Sequence, residues 1–180
     1  SKMSESVRLQ QENEQRLNLA LVAGKLGTWD MDIITGMNLV DDNYARMLDY
    51  DPDEFPKTPE TWSKTVHPDD LEIVTKSFND YVEGLTPEYV VQYRAYSKKG
   101  NIIWVEARGA IVERNSIGEA TRIAGTQADI TDQKEIASIL ESSEKRFQLA
   151  MEVANVGVWD INVQTREATF NDQFFGMLGY

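Results

Sequence analysis

The chain has 180 residues, no cysteine, one histidine and a formal net charge of −12. The absence of cysteine excludes disulfides, thiolate nucleophiles, cysteine-ligated zinc and a cysteinyl chromophore adduct. The negative charge opposes binding to nucleic acid and to anionic membranes, because both depend on lysine and arginine. No apolar run approaches the roughly 20 residues of a membrane span, and no secretory signal is visible. We therefore expect a soluble, cytoplasmic segment without direct membrane contact, although a parent protein can be anchored elsewhere.

The predicted elements alternate between helical spacing and strand alternation along the chain. In order, the pattern predicts a helix over 1–24, strands over 28–33 and 37–41, a short helix capped by Asp42, a brief helix over 60–66, a longer helix over 68–83, and strands over 89–97, 102–113 and 119–130. Turns at 98–101 and 115–118 join the last three strands. The predicted fold is α+β, a five-stranded antiparallel sheet with helices on one face and amphipathic helices flanking it.

The two turns also predict which side chains share a face of the sheet. One face is predicted to carry mostly apolar and small residues: Val90, Tyr96, Ile103, Val105, Ala107, Gly109, Ala124, Thr126 and Ala128. The other is predicted to carry Tyr93, Trp104, Glu106, Arg108, Gln127 and Asp129. Because small residues cannot fill a core alone, we expect the first face to border a ligand pocket. The predicted pocket residues are Tyr44, Leu48, Phe55, Trp62, Val74, Phe78, Ala107, Gly109, Ala124 and Thr126.

The beginning of the chain recurs near its end. Residues 16–50 return without a gap at 146–180, so that Gly27, Trp29 and Asp30 are repeated 130 residues later. A period this long is typical of tandem domains, because solenoid repeats are shorter. We expect a second, truncated copy over 157–180, whose exposed apolar side chains would need cover from another chain.

Several local strings resemble the PAS family of sensory domains. They are Gly27-Thr28-Trp29-Asp30 with Asp32, Trp62 with His67-Pro68-Asp69-Asp70, Tyr93-Arg94, Gly100 with Trp104-Val105-Glu106, Gly118, Gly125-Thr126 and Asp129-Ile130-Thr131. Each string alone is weak, but they follow the family order over residues 16–131. The implied organisation is an N-terminal helix over 1–24, a PAS-like domain over 25–131, a connector helix over 132–156 and the start of a second domain over 157–180.

The resemblance implies a sensor or relay in a bacterial signalling protein, most often a histidine kinase or a diguanylate cyclase. It also implies that Asp129, Ile130 and Thr131 end the last strand and start the connector helix. Trp104 is added to these relay residues because the predicted register places it opposite Asp129. The resemblance names no ligand, because such modules bind widely different molecules or none. A noncovalent flavin or another small molecule stays open, and the alternative is a ligand-free dimerising spacer. An enzyme is not expected, because one histidine and no cysteine assemble no catalytic group.

Two further patterns carry candidate chemistry. His67 sits at a helix start, which favours a residue satisfied by backbone groups over a haem ligand. Asp49, Asp51, Asp53 and Glu60 follow calcium-loop spacing, but Glu54 stands where that loop needs glycine, so a solvated acidic loop is the better interpretation. We expect no metal site.

Charge and heptad patterns predict three contacts. Arg94 is expected on the helix side of the sheet, paired with Asp69 or Asp70. Asp129 is expected to pair with a donor opposite it near Trp104. Ile136, Leu140, Ser143, Phe147, Ala150 and Ala154 alternate by four and three residues, which favours a homodimeric coiled coil over a helix packed on its own domain. An output kinase or cyclase domain is the expected partner in the parent protein.

Overall fold

A computed structural model describes residues 2–179, with side chains from residue 5 onward. The chain divides into two compact units, residues 1–132 and 133–180. Ser1, where the predicted N-terminal helix begins, and Tyr180, where the predicted second copy ends, lie outside the described residues.

The first unit contains a five-stranded antiparallel sheet and four helices. Its strands are β1 Leu26–Asp32, β2 Asn38–Val40, β3 Tyr89–Tyr96, β4 Ile102–Arg114 and β5 Ala120–Asp129, in the spatial order β2-β1-β5-β4-β3. Its helices are α1 Lys2–Ala23, α2 Asp42–Met47, α3 Thr61–Thr65 and α4 Leu71–Val82, and 3₁₀ turns cover Pro52–Glu54 and Pro68–Asp70. The predicted α+β class and five-stranded antiparallel sheet are confirmed.

The cap of helix α2 lies one residue earlier than predicted. The Asp41 side chain, not that of Asp42, accepts a hydrogen bond from the Tyr44 N–H at 2.8 Å. Asp42 is instead the first helical residue, where its charge faces the positive end of the helix dipole. Capping by Asp41 holds Tyr44 at the start of the helix, with its side chain buried.

The core lies on one face of the sheet, against α2, α3 and α4. Buried side chains alternate along β3, where Tyr89, Val91, Tyr93 and Ala95 all point to this face. They are joined there by Val105 and Ala107 of β4, Ile123 and Gln127 of β5 and Trp29 of β1. The core face therefore combines three aromatic rings with aliphatic side chains and one buried amide.

The predicted faces are right for β4 and wrong for β3 and β5. Ala107 pairs with Gln127 rather than Thr126, and Tyr96 pairs with Ile102 rather than Ile103. The placements of Ala124, Thr126, Ala128, Val90 and Tyr96 on the core face are therefore wrong, as are the outer placements of Tyr93, Gln127 and Asp129. A slip of one residue in register exchanges the two faces of a strand.

The slip has a physical cause in the two hairpin turns. Backbone hydrogen bonds close them at Ser97–Asn101 and Asn115–Glu119, both 2.9 Å, so each loop has three residues instead of the assumed four. Gly100 and Gly118 end these loops with φ of +84° and +88°. Three-residue hairpin loops place a residue in this left-handed conformation, and glycine adopts it without strain.

Two glycines make room for Trp29 on the core face. A Cβ at Gly109 would lie 2.6 Å from the Trp29 ring, and one at Gly125 would lie 2.7 Å from it. The Trp29 Nε1–H donates to the Thr126 carbonyl at 3.0 Å. The Trp29 indole, which belongs to β1, thus fills the space that the small residues leave on this face.

The second unit repeats the local structure at the start of the first. It contains most of α5 Thr131–Ala154, followed by β6 Trp159–Ile161, β7 Ala168–Phe170 and α6 Asp172–Met177. Trp159 pairs with Phe170 as Trp29 pairs with Val40, at the same 130-residue offset. Asn171 caps α6 in the place of Asp41. That these residues begin a second, truncated domain stays a prediction.

Candidate functional site

A cavity of about 280 Å³ lies between the core face of the sheet and the helices. Its sheet side combines three aromatic rings with two apolar side chains and one amide: Trp29, Tyr89, Tyr93, Met31, Ala107 and Gln127. Its helical side is formed by Tyr44, Trp62, Ser63, Thr75 and Phe78, and its edge by Gly36, Asn38 and Pro59. The cavity is thus an apolar space with a few neutral polar groups on its wall.

The structure brings four of the ten predicted pocket residues to this cavity: Tyr44, Trp62, Phe78 and Ala107. Leu48, Phe55 and Val74 are buried in the surrounding core. Gly109 contacts Trp29 instead. Ala124 and Thr126 lie on the opposite face of the sheet, so their predicted place at the pocket is wrong. That any of these side chains contacts a ligand stays a prediction.

A chain of hydrogen bonds crosses the wall of the cavity. The Trp62 Nε1–H donates to the Tyr93 hydroxyl at 3.4 Å, and this hydroxyl donates to Gln127 Oε1 at 2.9 Å. Gln127 also bonds the Tyr44 hydroxyl. Only 2% of Gln127 is exposed, and its buried amide finds hydrogen-bond partners in these phenols.

The sequence reasoning missed Gln127 and Tyr93 because of the register slip. Glycine at the end of each turn, Gly100 and Gly118, was the signal for three-residue loops. With that loop length Gln127 falls opposite Ala107, on the buried face.

The phenols around the cavity are neutral at physiological pH. Burial raises the pKa of Tyr93 to about 12 and raises the pKa of Tyr89 further above its ordinary value. Burial also raises the pKa of Tyr44 well above that value, and the hydrogen bond from Gln127 only partly offsets the increase. None of the described lining residues is aspartate, glutamate, lysine, arginine or histidine. The wall therefore offers neutral hydrogen-bonding groups and no charge.

Asn38 adds an unsatisfied polar atom at the edge of the cavity. Its Oδ1 is buried and accepts no hydrogen bond within the part of the chain that the structure describes.

The end of β5 is tied to the start of α5 through Thr131. The Thr131 N–H and hydroxyl donate to Asp129 Oδ1 at 2.9 and 2.6 Å, and the Thr131 Oγ1 accepts from the Trp104 N–H at 3.0 Å. The Ile130 N–H donates to the Trp104 carbonyl at 2.8 Å. The predicted position of Asp129 opposite Trp104 is wrong, because its cross-strand partner is Val105. All four predicted relay residues nevertheless meet at this junction.

The predicted ion pair of Arg94 is confirmed, but its predicted face is wrong. The Arg94 side chain pairs with Asp70, with NH2 2.6 Å from Oδ1. Arg94 lies opposite Trp104, and its guanidinium is 5.9 Å from the centre of that ring. Both residues alternate with the buried Tyr93 and Val105, so they lie on the outer face. Arg94 reaches Asp70 because β3 is an edge strand.

The histidine and the acidic loop have structural partners. The His67 Nδ1 accepts from the Asp69 N–H at 3.3 Å, and its ring stacks on Tyr96 with centroids 5.2 Å apart. This agrees with a His67 satisfied by the backbone. Asp49 pairs with Lys99 at 3.3 Å, and Asp51 caps the 3₁₀ turn that follows it. Among residues 2–179, no three histidine, aspartate or glutamate side chains are grouped to hold a metal ion.

The comparison with protein families agrees with this architecture. Residues 38–127, half of the chain, match the family model described as the PAS fold. The chain belongs to the PAS family. Within residues 2–179, no helix combines the length and the hydrophobicity that crossing a membrane requires.

Relatives of this PAS domain occur in signalling proteins. A solved sensory box histidine kinase/response regulator from Burkholderia thailandensis superposes with a TM-score of 0.65 and 28% identity, over 74% of this chain and 98% of that one. A methyl sulfide methyltransferase-associated sensor of Methanosarcina acetivorans is 28% identical over 61% of this chain and 11% of the relative. A probable diguanylate cyclase of Escherichia coli is 23% identical over 99% of this chain and 16% of the relative. The chain thus spans a small part of these curated relatives.

Proposed function

We propose that this PAS domain is a non-catalytic sensor of a small molecule that passes the binding event to α5. The observation that carries the proposal is the cavity of about 280 Å³ beside Gln127, on the same strand that ends at Asp129. A dimerising spacer needs no such space, because protein cores are normally packed without large voids. An uncharged, concave space with a few polar groups is typical of ligand sites.

The route from the cavity to the helix is short. Gln127 lies two residues before Asp129, which holds Thr131 at the first position of α5. A ligand that repositions Tyr44 or Tyr93 changes the hydrogen bonds of Gln127 and shifts the end of β5. We propose that the helix start follows, and that the output is a kinase or cyclase domain of a parent protein, as in the related signalling proteins.

Native mass spectrometry with absorbance spectra of the purified chain tests ligand binding. We expect a retained small molecule that is lost on denaturation. Hydrogen exchange then tests the relay: exchange in the first turns of α5 should differ between the loaded and the emptied protein. Gln127→Leu should abolish that difference, while the control Gln92→Leu, at an exposed position on β3, should keep it. If the purified protein retains no small molecule and hydrogen exchange in α5 does not change, the result would instead support the ligand-free spacer.

A further inference from the structure

We propose that α1 is an input helix: a change in its position moves Tyr44 at the wall of the cavity, and α5 acts on the second unit in the same way. This inference rests on the proposed relay from Gln127 to α5 and adds a second source of signal to it. The first unit would then combine a signal that arrives through α1 with the binding of a ligand. The contacts at the start of β1 carry the inference.

The start of β1 lies directly against the start of α2. Helix α1 ends at Ala23, and its Leu21 is partly buried, whereas most of the helix is exposed. Gly27 of β1 is buried, and a Cβ there would lie only 2.6 Å from Tyr44 Cα. Because no side chain of Gly27 separates the two backbones, a displacement of β1 cannot be absorbed by a side-chain rotation.

Two hydrogen bonds fasten the same contact. The Asp41 N–H donates to the Thr28 carbonyl at 3.1 Å, and the Asp41 side chain accepts from the Tyr44 N–H at 2.8 Å. Asp41 therefore holds the first turn of α2 to β1. Since the Tyr44 hydroxyl bonds Gln127, a movement of β1 reaches the residue from which the proposed relay to α5 starts.

Helices α1 and α5 join the sheet at the same end of two neighbouring strands. Leu26 of β1 pairs with Ala128 of β5; α1 ends three residues before Leu26, and α5 begins three residues after Ala128. One groove at this end is lined by the end of α1 and the turn that follows it, by α2 and by the end of β5: Val22, Lys25, Asn43, Arg46, Met47 and Asp129. The carboxylate that holds Thr131 thus shares a groove with the end of the incoming helix.

The same contacts recur where α5 enters the second unit. A Cβ at Gly157 would lie 2.9 Å from Phe174 Cα. The Asn171 N–H donates to the Val158 carbonyl at 3.1 Å, and the Asn171 Oδ1 accepts from the Phe174 N–H at 3.0 Å. Each of these residues lies 130 positions after its counterpart in the first unit. The repetition assigns α5 the role toward the second unit that α1 has toward the first.

The turn between each incoming helix and its strand also has the same unusual backbone. Lys25 and Asn155, which are 130 positions apart, have φ of 51° and 52°. Residues other than glycine rarely adopt this left-handed conformation. Because it occurs in both units, with a lysine as well as with an asparagine, the surrounding contacts hold the direction in which each helix meets its strand.

Hydrogen exchange of the whole chain in two variants of α1 tests the input. Leu21→Ala and Leu19→Ala both shorten a leucine near the end of the helix, but only Leu21 is partly buried, and Leu19 is 69% exposed. Leu21→Ala should raise exchange in the first turns of α2 and α5 by roughly 3–10-fold, because part of a buried leucine contact is lost. Leu19→Ala should leave both turns unchanged. Leu21→Val serves the same purpose should the alanine variant fail to fold.

Exchange in β3 distinguishes a directed coupling from a general loss of stability. This strand forms the edge of the sheet that lies away from β1 and β2, so its protection should be the same in Leu21→Ala as in the unaltered chain. A rise in exchange that is confined to α1, or one that is equally large in β3, would overturn the input role of α1.

The second unit offers an independent test of the same coupling. Met151 and Leu149 are the counterparts of Leu21 and Leu19, and again only the first of the pair is partly buried. Met151→Ala should raise exchange in the first turn of α6, and Leu149→Ala should not. An α6 that does not respond to Met151→Ala would overturn the role of α5 as an input to the second unit.

These exchange measurements need no ligand, which separates the input from the sensing function. If native mass spectra show a retained molecule and Leu21→Ala affects only α1, the sensor stands and the input is overturned. If no molecule is retained but α2 and α5 respond to Leu21→Ala, the input stands and ligand sensing is overturned. A chain that shows neither result would overturn both.

Discussion

The Asp70 carboxylate accepts three hydrogen bonds from Arg94, from its backbone N–H at 2.8 Å, its Nε at 2.9 Å and its NH2 at 2.6 Å. The same guanidinium lies over the Trp104 ring. Trp104 in turn donates its N–H to Thr131. One arginine on the edge strand thus links the start of α4 to the strand that holds the first residue of α5.

Removing the charge at Asp70 should destabilise the first unit. Asp70→Asn loses the two-pronged pairing with Arg94, and partly buried charge-assisted bonds of this kind contribute about 1–3 kcal/mol. Asp69 lies 3.7 Å from the same guanidinium but is 74% exposed. The control Asp69→Asn should therefore cost less than about 0.5 kcal/mol. Urea unfolding of both variants measures the difference, and equal losses would contradict this account.

The same ion pair predicts a loss of stability in acid. Arg94 lowers the pKa of Asp70 to about 2 from 3.8. Because the folded-state pKa is depressed, the stabilisation is present above the unfolded value and is lost as the pH falls from about 4 to about 2. We expect a contribution of about 1–2 kcal/mol, less than the full shift implies because Arg94 remains partly exposed. In Asp70→Asn, unfolding measured across this range should lose that pH dependence.

Much of the fold could be predicted from local patterns. Alternation in β4 correctly placed Val105 and Ala107 inside, and Glu106 and Arg108 outside, because apolar and polar residues strictly alternate there. In β3 both faces carry apolar residues, for example Tyr89 and Val90, so pattern alone does not choose between them. The face assignment of β3 therefore depends on the length of the hairpin loop, and an error of one residue in that length exchanges the two faces.

The candidate site was harder to predict than the fold. Its helical residues Tyr44, Trp62 and Phe78 follow from amphipathic spacing. Gln127 does not, because a buried glutamine is recognisable only from its partners across the sheet and on α2.

A larger side chain inside the cavity and one on the outer face of the sheet should have different effects on ligand binding. Ala107 lines the cavity, so Ala107→Leu should reduce the binding of any retained molecule at least tenfold and change stability by about 1–3 kcal/mol. Ala124 lies on the outer face, and Ala124→Leu should leave the binding unchanged. Calorimetry and thermal unfolding measure both effects. Loss of binding in both variants would instead support the predicted face, on which Ala107 and Ala124 lie together.

The stability of the junction at Thr131 should depend more on the Thr131 hydroxyl than on the size of that side chain. Thr131→Val keeps the shape but removes the acceptor of the Trp104 N–H and one donor to Asp129, with an expected cost of about 1–3 kcal/mol. Thr131→Ser keeps both bonds and should cost little. Hydrogen exchange in the first turn of α5 should rise in the valine variant only.

The Asp129 carboxylate should be needed for the relay, because it holds Thr131. We expect Asp129→Ala to uncouple sensing from output, and normal signalling by that variant in a parent protein would refute the relay.

The apolar seam of α5 should hold two copies of the chain together. Ile136, Leu140 and Phe147 are all more than half exposed and share one side of the helix. Leu140→Glu places a charge in this seam and should shift sedimentation from dimer to monomer. The control Ser138→Glu adds the same charge on the opposite side and should leave the dimer intact.

The alternative contact between two copies is the exposed apolar surface of the second unit, which includes Trp159 and Phe175. A dimer that resists Leu140→Glu but dissociates in Phe175→Glu would assign the association to that surface instead.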